Sequence, residues 1–187
     1  MNDKARTPSG TRVDKERWLR TALEVVEKEG GGAIRIDGLA RRLKVTKGSF
    51  YHHFKDRHDF IDQMVDYWVE RFNTYVIDQI QHVAGSPEDR LLTLMRLVKR
   101  EGLDLYDITF RAWAAQDPKI AAKVREVDLA RYRFIRSLFA EIGFEGEELE
   151  LRTRIWLVVA AANSTVTFPD DGTGDLFEKS HPFFVRK

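Results

Sequence analysis

The sequence predicts an all-α protein, on three observations. Nearly every long segment of the 187-residue chain repeats its apolar residues at three- and four-residue steps, the period of a helix with one buried face. No run alternates apolar and polar residues as a half-buried strand would. The composition, 43% hydrophobic and 11% aromatic, supplies enough apolar material for the core of one large or two small domains.

The same composition narrows the chemistry and the compartment. There is no cysteine, which excludes disulfides and thiolate zinc sites. The N-terminal segment MNDKARTPSGTRVDKERW lacks the apolar core of a signal peptide. The most apolar run, WLVVAAA at 156–162, is shorter than the roughly 20 residues that span a bilayer. We therefore expect a soluble, cytoplasmic protein.

Charge is distributed unevenly along the chain. Residues 1–57 hold 14 Lys and Arg against 8 Asp and Glu, whereas the remainder holds 17 against 22, although the net charge of the whole is only +1. This distribution predicts a small basic module that binds phosphates, joined to a larger acidic body with a different task.

The helices of the basic module follow from their start and stop signals. They are predicted over 13–29, 36–43 and 47–53. The glycines at 30–32 end the first helix, and Lys44 with Val45 turns the chain after the second. Thr46 is predicted to cap the third helix through its hydroxyl.

The body is predicted to hold five further helices. They run over about 57–80, 87–101, 103–115, 118–142 and 146–166. Asp56 is predicted to cap the first of them, with Asp59 in the place of the usual capping-box glutamate. Gly102 is a hinge and Gly143 a stop, and the tail after Pro169 is expected to be a loop with one short helical turn.

Residues 36–54 have the proportions of a helix-turn-helix, with the small Ala40 where the two helices would cross. Phe50 and Phe54, four residues apart, are predicted to face inward with Leu43. The opposite face is then polar, and a DNA major groove, which admits one α-helix, would be read by side chains near the N-terminus of that helix. The residues that we expect to contact DNA are Arg35, Thr46, Lys47, Gly48, Ser49, Tyr51, His52, His53, Lys55 and Arg57.

Further basic residues surround this polar face. Arg41 and Arg42 lie on the adjoining helix, and Lys4, Arg6 and Arg12 lie on an N-terminal Pro-Ser-Gly arm that could reach a neighbouring groove or the backbone. A short helix pair with mixed polar residues is by itself a weak signal. The clustering of basic charge around it favours a nucleic-acid partner.

Residues 13–68 resemble the DNA-binding module of the tetracycline-repressor-like (TetR) family. The resemblance lies in LARRL, VTKGSFY, the following HF and an apolar-rich fourth helix, all in order. It covers about a third of the chain, and the remainder agrees in architecture alone, as a helical body ending in two long helices.

The resemblance implies that Lys47, Gly48 and Ser49 approach bases. It also implies that Tyr51 and His53 contact the phosphate backbone or a base edge, and that Arg57, where the family usually has lysine, contacts a phosphate. The sequence departs from the usual pattern of the family at three positions. Arg35 replaces a capping Thr or Ser, Gly38 lies inside the second helix, and Lys44 replaces a turn glycine, which predicts a left-handed backbone at a residue with a side chain. Each departure is expected to cost about 1 kcal/mol.

Two long apolar helices predict a homodimer interface, with an intrachain core as the alternative. The last is apolar nearly all round from Ile155 to Ala162, and the one before it carries an apolar stripe interrupted only by Arg131. Paired with a two-fold copy they would form a four-helix interface, which the resemblance also implies. The residues placed there are Ile120, Val124, Val127, Arg131, Phe134, Ile135, Leu138, Ile155, Val159 and Ala162.

Between the fourth helix and these two helices we expect a cavity for a small-molecule effector. The candidate walls are Met64, Trp68, Phe72, Met95, Tyr106, Phe110, Trp113 and Trp156, with Arg111, Asn163 and Thr167 to orient the ligand. A plain aromatic core is the alternative, because helical spacing does not distinguish the two.

The sequence thus predicts three parts: a flexible basic arm at 1–12, a helix-turn-helix DNA-binding domain at 13–57, and a ligand-sensing and dimerisation domain at 58–187. The expected function is a dimeric transcriptional regulator, by family habit a repressor, released from a palindromic operator when an unidentified small molecule binds. A sequence-tolerant DNA-binding protein and a small-molecule binder without operator specificity are the alternatives.

An enzyme is a more distant alternative. Glu178 and His181 form one E-x-x-H, but a di-iron bundle needs a second copy and two further glutamates. His58 and Asp62, four residues apart, belong to a solvent-facing helix start. The sequence has no G-x-S-x-G, P-loop or dinucleotide glycine motif. We expect no catalytic residue, metal or cofactor.

Overall fold

The fold was analysed in a computed structural model that describes residues 13–162, 166 and 176–186. Every regular element in these ranges is helical, which confirms the all-α prediction. The chain divides into two compact units, Met1–Met64 and Val65–Lys187. The arm at 1–12 lies outside the described residues, and none of the helices described combines the length and hydropathy needed to cross a membrane.

The described part of the N-terminal unit, residues 13–64, holds four helices. They are α1 (Lys15–Glu29), α2 (Ile36–Leu43), α3 (Lys47–Tyr51) and the first part of α4 (Arg57–Val69), with a 3-10 turn at Gly31–Ala33 between α1 and α2. The division between the units therefore falls within α4, whereas the boundary drawn from the sequence falls at its start.

An aromatic cluster holds the N-terminal unit together. Phe50 of α3 is fully buried, and its ring centroid lies 5.5 Å from that of Trp18, 5.0 Å from that of Phe54 and 5.3 Å from that of Phe60. These rings come from α1, the chain after α3, and α4. Burying a phenylalanine contributes about 1.5–3 kcal/mol, and edge-to-face packing adds to it. The predicted inward face of α3 is thus confirmed.

The turn between α2 and α3 confirms one prediction and corrects two. Lys44 has φ 57° and ψ 40°, the left-handed conformation expected where a glycine is usual. Thr46 stands at the N-cap of α3, but its side chain makes no cap hydrogen bond, so its hydroxyl is not the predicted cap. The helix ends at Tyr51 rather than His53, because the backbone N–H groups of His53 and Phe54 both converge on the carbonyl of Phe50, at 2.9 and 3.0 Å.

Two carboxylates start α4. The backbone N–H of Asp59 donates to Asp56 Oδ1 at 2.9 Å, as the predicted cap requires. Asp59 Oδ2 accepts from the backbone N–H of Lys55 at 2.9 Å, one residue earlier than in a capping box. The hydrogen bond from Lys55, followed by one from Gln63, lowers the pKa of the Asp59 carboxyl. The loop after α3 is therefore fixed to the first turn of α4.

In its described residues, the C-terminal unit continues from α4 through seven further helices. After a π-helical segment (Glu70–Thr74) come α5 (Tyr75–Gln81), α6 (Pro87–Arg100), α7 (Leu103–Ala114), α8 (Pro118–Ile142), α9 (Gly146–Ala162), α10 (Leu176–Lys179) and α11 (His181–Val185). The predicted bounds of 118–142 are those observed, because Asp117 caps α8 at one end and Gly143, at φ 97°, ends it at the other.

The π-helical segment corrects the prediction of one uninterrupted helix over 57–80. A π segment leaves the regular i→i−4 bonding, and here the side-chain amide of the buried Asn73 donates to the carbonyl of Trp68 at 3.3 Å. Asn73 in turn accepts from Arg131 Nε at 2.7 Å. Such segments are found frequently at functional sites, and no glycine or proline marks this one in the sequence.

Two short helices at the end of the chain pack on the body, where one helical turn was predicted. Phe177 and Phe184 are buried in the core with α6 and α8 residues. Arg152 of α9 donates to the carbonyls of Phe184 at 2.7 Å and Arg186 at 2.9 Å. The described part of the tail, residues 176–186, therefore packs as part of this unit.

Candidate nucleic-acid interface and ligand cavity

The polar face of the helix-turn-helix is exposed, as a DNA-reading face must be. Tyr51 leaves 53% of its surface accessible although its ring edge packs on Phe50 at 5.3 Å. The exposed residues among the predicted contacts are Arg35, Thr46, Lys47, Gly48, Tyr51, His52, Lys55 and Arg57, and Ser49 is half-buried. Because Phe50 and Phe54 are buried on one side of this segment, the polar side chains on the other side point outward.

Lys47 at the start of α3 already has an anionic partner. Its Nζ lies 3.2 Å from Asp37 Oδ1 on α2, in a pair whose side chains are 53% and 66% exposed. Exposed pairs of this kind are worth about 0–1 kcal/mol. Lys47 can therefore exchange Asp37 for another anion at low cost.

His53 differs from the other predicted contacts. Its ring is half-buried, and Nε2 lies 3.0 Å from the carbonyl oxygen of Val13, the first described residue. This contact ties the end of the helix-turn-helix to the chain leading into α1. A role in DNA contact would be left to the other ring nitrogen.

The packing of the chain does not require a glycine at position 48, and the side chain of Arg35 does not cap α2. A Cβ at Gly48 would meet only Thr46 Oγ1 at 3.6 Å, an ordinary contact, so the packing of this chain does not demand a glycine there. Arg35 does not cap α2 with its side chain but donates through Nη1 to the carbonyl of Gly32 at 2.7 Å. Its guanidinium otherwise remains exposed.

A cavity of about 280 Å³ lies within the C-terminal unit, lined by the π-helical segment and by α5 to α9. Its walls include the apolar side chains of Phe72, Leu94, Phe134 and Trp156. Its polar lining consists of Asn73, Asp104, Asp107, Arg111, Asp128 and Arg131. The volume is that of a site for a small organic molecule.

Two arginines in the lining are each paired with a carboxylate. Arg131 forms a bidentate pair with the buried Asp107, with Nη2 at 3.1 Å from Oδ1, and donates to Asn73 as well. Arg111 forms a bidentate pair with Asp128, at 2.9 and 2.5 Å, and the hydrogen bond to Asp128 raises the pKa of Arg111 further above its ordinary value.

The structure brings three of the predicted ligand residues to the cavity: Phe72, Arg111 and Trp156. Six others do not line the cavity, and all of them except Trp113 are buried in the core. They are Met64, Trp68, Met95, Tyr106, Phe110 and Trp113. Trp68 and Phe110, for example, stack with centroids 4.4 Å apart. Asn163 and Thr167 lie outside the described residues.

Sequence reasoning missed the acidic lining. Asp104, Asp107 and Arg111 stand at i, i+3 and i+7 on α7, which places them on one face. The charged stripe on this otherwise apolar helix, of which only Arg111 was predicted, is the signal that would have found Asp104 and Asp107.

The residues proposed for a dimer interface separate into two groups. Six of the α8 residues are already buried within the single chain, as the alternative of an intrachain core predicts. They are Ile120, Val124, Val127, Phe134, Ile135 and Leu138. Arg131 faces the cavity. On α9, by contrast, Ile155 is exposed and Val159 and Ala162 are half-buried.

The histidines considered as metal ligands have other partners. His181 Nε2 lies 2.9 Å from the carbonyl oxygen of Glu88, and Glu178 accepts from Arg96 Nε at 2.7 Å. His58 Nε2 and Asp62 Oδ2, 3.6 Å apart, form an i,i+4 pair with the histidine largely exposed. The E-x-x-H pair is thus engaged in intrachain contacts.

A helix-turn-helix with an exposed polar third helix defines the class of helix-turn-helix DNA-binding modules, and in this chain it is followed by a helical unit that contains a cavity. The comparisons agree with this class. Residues 19–64 match the sequence model described as bacterial regulatory proteins of the tetR family. The regulator YerO of Bacillus subtilis is 27% identical over 78 residues, which are 42% of this chain and 27% of YerO. The curated relatives are matched over about a quarter of their own length.

Solved structures extend the likeness to the fold of nearly the whole chain. A transcriptional regulator from Saccharomonospora viridis, in complex with choline, has a TM-score of 0.75 at 16% identity, over 91% of this chain and 94% of that one. AibR, in complex with isovaleryl coenzyme A and operator DNA, has a TM-score of 0.64 at 19% identity, over 89% and 92%. Over residues 19–64 the chain is thus similar in sequence to bacterial regulatory proteins of the tetR family, and over most of its length it shares the fold of these solved regulators.

Proposed function

We propose that this protein is a homodimeric repressor that binds a palindromic operator through α2 and α3 and leaves it when a small molecule occupies the cavity of the C-terminal unit. The observation that carries the proposal is the two-sided α3, with Phe50 fully buried and Tyr51 and Lys47 exposed beside it. A helix held this way offers its N-terminal donors to a major groove.

An exposed apolar stripe on α9 supports the homodimer. Leu151, Ile155 and Val158 are 51%, 53% and 67% exposed and stand at steps of four and three residues, with Leu129 of α8 also 51% exposed. A stripe of this kind needs cover in water. A two-fold copy would supply it, and would set two α3 helices about 34–36 Å apart for the two half-sites of a palindrome.

The path from ligand to DNA begins at the π-helical segment. Phe72 and Asn73 of this segment line the cavity, and the same helical stretch begins as α4, directly after the helix-turn-helix. A ligand that packs against Phe72 favours one arrangement of this stretch over another. The affinity for the operator then falls by the differential affinity of the ligand for the two states.

Selection of bound duplexes from a random pool tests the function. We expect a palindrome to be recovered, and the protein to prefer it to a scrambled duplex of the same length and composition by about 10³-fold at physiological salt. Salt titration separates the sequence-independent contribution, because phosphate contacts weaken for both duplexes alike. Equal affinity for both duplexes at every salt concentration would indicate a sequence-tolerant DNA-binding protein.

Replacing Gly48 with alanine tests whether DNA approaches the backbone of α3. We expect Gly48→Ala to leave the fold intact, or to stabilise it by up to about 1 kcal/mol, because alanine is the better helix former and the added Cβ meets nothing closer than 3.6 Å. The affinity for the operator should nevertheless fall at least tenfold, measured by fluorescence anisotropy, a loss of about 1.4 kcal/mol.

Gly38→Ala on α2 is the matched control, since a Cβ there would meet Arg35 Cβ at an ordinary 3.7 Å. This variant should keep its affinity for the operator. Full affinity in Gly48→Ala would mean that no groove wall comes close to α3 at this position.

A further inference from the structure

The charges that line the cavity do not balance. Among the residues that the structure describes, three carboxylates and two guanidinium groups line it. Arg131 is paired with Asp107 and Arg111 with Asp128, each through two hydrogen bonds. One negative charge is left over, and it belongs to Asp104.

Asp104 is buried without a partner. It is 8% exposed, and among the residues that the structure describes no group donates a hydrogen bond to its carboxylate or forms an ion pair with it. A buried carboxylate normally has a cation or several donors around it, because its desolvation is costly. Asp104 lies in the first turn of α7, where the helix dipole offsets part of this cost, but a dipole does not fill its hydrogen-bonding positions.

The walls around Asp104 fit the apolar part of a ligand. The rings of Phe72 and Trp156 line the same cavity, with aliphatic side chains of α6 and α9. Aromatic faces attract organic cations, most strongly where water is excluded. The unpaired carboxylate and the aromatic walls therefore favour the same kind of molecule.

We propose that the cavity takes an organic cation of single positive charge and apolar body, an amine or a quaternary ammonium ion, with Asp104 as its counter-ion. This inference rests on the proposed function, since it names the class of effector that the cavity senses. The pairs of Arg111 and Arg131 stay closed in the complex, because a cationic ligand offers them no anion.

The test compares a cation with its uncharged isostere. Titration calorimetry on the full chain would use phenyltrimethylammonium and tert-butylbenzene, which differ by a nitrogen in place of a carbon. We expect the cation to bind at least tenfold more tightly than the hydrocarbon, and Asp104→Asn to lower the affinity for the cation by about 10- to 100-fold while leaving that for the hydrocarbon within twofold. Asp78→Asn, which removes an exposed carboxylate from α5, is the matched control and should change neither.

Each contrary outcome bears on one proposal alone. Equal or tighter binding of tert-butylbenzene, unchanged cation binding in Asp104→Asn, or no binding of phenyltrimethylammonium would overturn the cationic ligand, yet would leave operator recognition standing. Failure to recover a preferred duplex would overturn the repressor while a cation dependent on Asp104 still bound. A circular dichroism melt of Asp104→Asn distinguishes a lost ligand contact from a lost fold.

Discussion

The double variant Lys47→Ala, Tyr51→Ala is expected to lose operator binding while it keeps its fold and its oligomeric state. Both side chains are exposed by about half and contribute little to the core, so their removal should change the free energy of unfolding by no more than about 0.5 kcal/mol. A side chain that contacts a base or phosphate is worth about 1–3 kcal/mol, so the affinity should fall on the order of 10²-fold or more. Fluorescence anisotropy with a labelled operator would measure it.

A control with the same chemical changes is available elsewhere in the chain. Lys28, exposed in the last turn of α1, and Tyr75, 47% exposed in α5, lie outside the helix-turn-helix. Lys28→Ala, Tyr75→Ala should bind the operator as the unaltered protein does. If the first variant also retained its affinity, α3 would not be the reading helix.

Phe50→Ala is expected to have the largest effect on stability. The side chain is fully buried and contacts the rings of Trp18, Phe54 and Phe60, so its truncation leaves a cavity at the meeting point of three helices. Replacements of this kind cost about 3–5 kcal/mol, a large fraction of the stability of a small domain. Urea denaturation followed by circular dichroism would give the loss, and hydrogen exchange would assign it to the N-terminal unit.

Phe183→Ala makes the same replacement where 83% of the side chain is exposed, and should shift the free energy of unfolding by less than about 0.5 kcal/mol. Because both variants replace phenylalanine with alanine, the difference between their free energies of unfolding measures the effect of burial. An unfolding midpoint for Phe50→Ala equal to that of Phe183→Ala would contradict the central place of the aromatic cluster.

Local signals in the sequence predicted most of the helical fold. Asp117, Pro118 and Gly143 define both ends of α8. The left-handed backbone at Lys44 was implied by the family resemblance, because the resembled family usually has a turn glycine there. The inward face of α3 followed from Phe50 and Phe54 four residues apart. These features depend on residues close together in the chain, where backbone preferences are strong.

The predictions that the structure corrects, and those that stay predictions, depended on which surfaces meet. The apolar stripe of α8 shows that a face is buried, but Leu138 gives no sign whether its own chain or a second copy buries it. Trp68 and Phe72 stand four residues apart on one stretch, yet Phe72 lines the cavity and Trp68 packs against Phe110 instead. Thr46 has the side chain of a cap, but makes no hydrogen bond with it. Tertiary packing decides each of these cases.

In the free protein, the carboxylate of Asp37 pairs with Lys47 and would compete with a DNA phosphate for its ammonium group. A phosphate that approaches Lys47 must displace a carboxylate already 3.2 Å away, and must also tolerate that carboxylate once it is set free beside it. A polyanion that engages Lys47 alone gains almost nothing from this exchange, because one attraction replaces another and a repulsion is added. A duplex that fits the whole of α3 has other contacts to offset it. On the proposed function, Asp37→Asn is therefore expected to raise the affinity for specific and scrambled duplexes alike, and by no more than a few-fold, because the exposed pair is worth only about 0–1 kcal/mol.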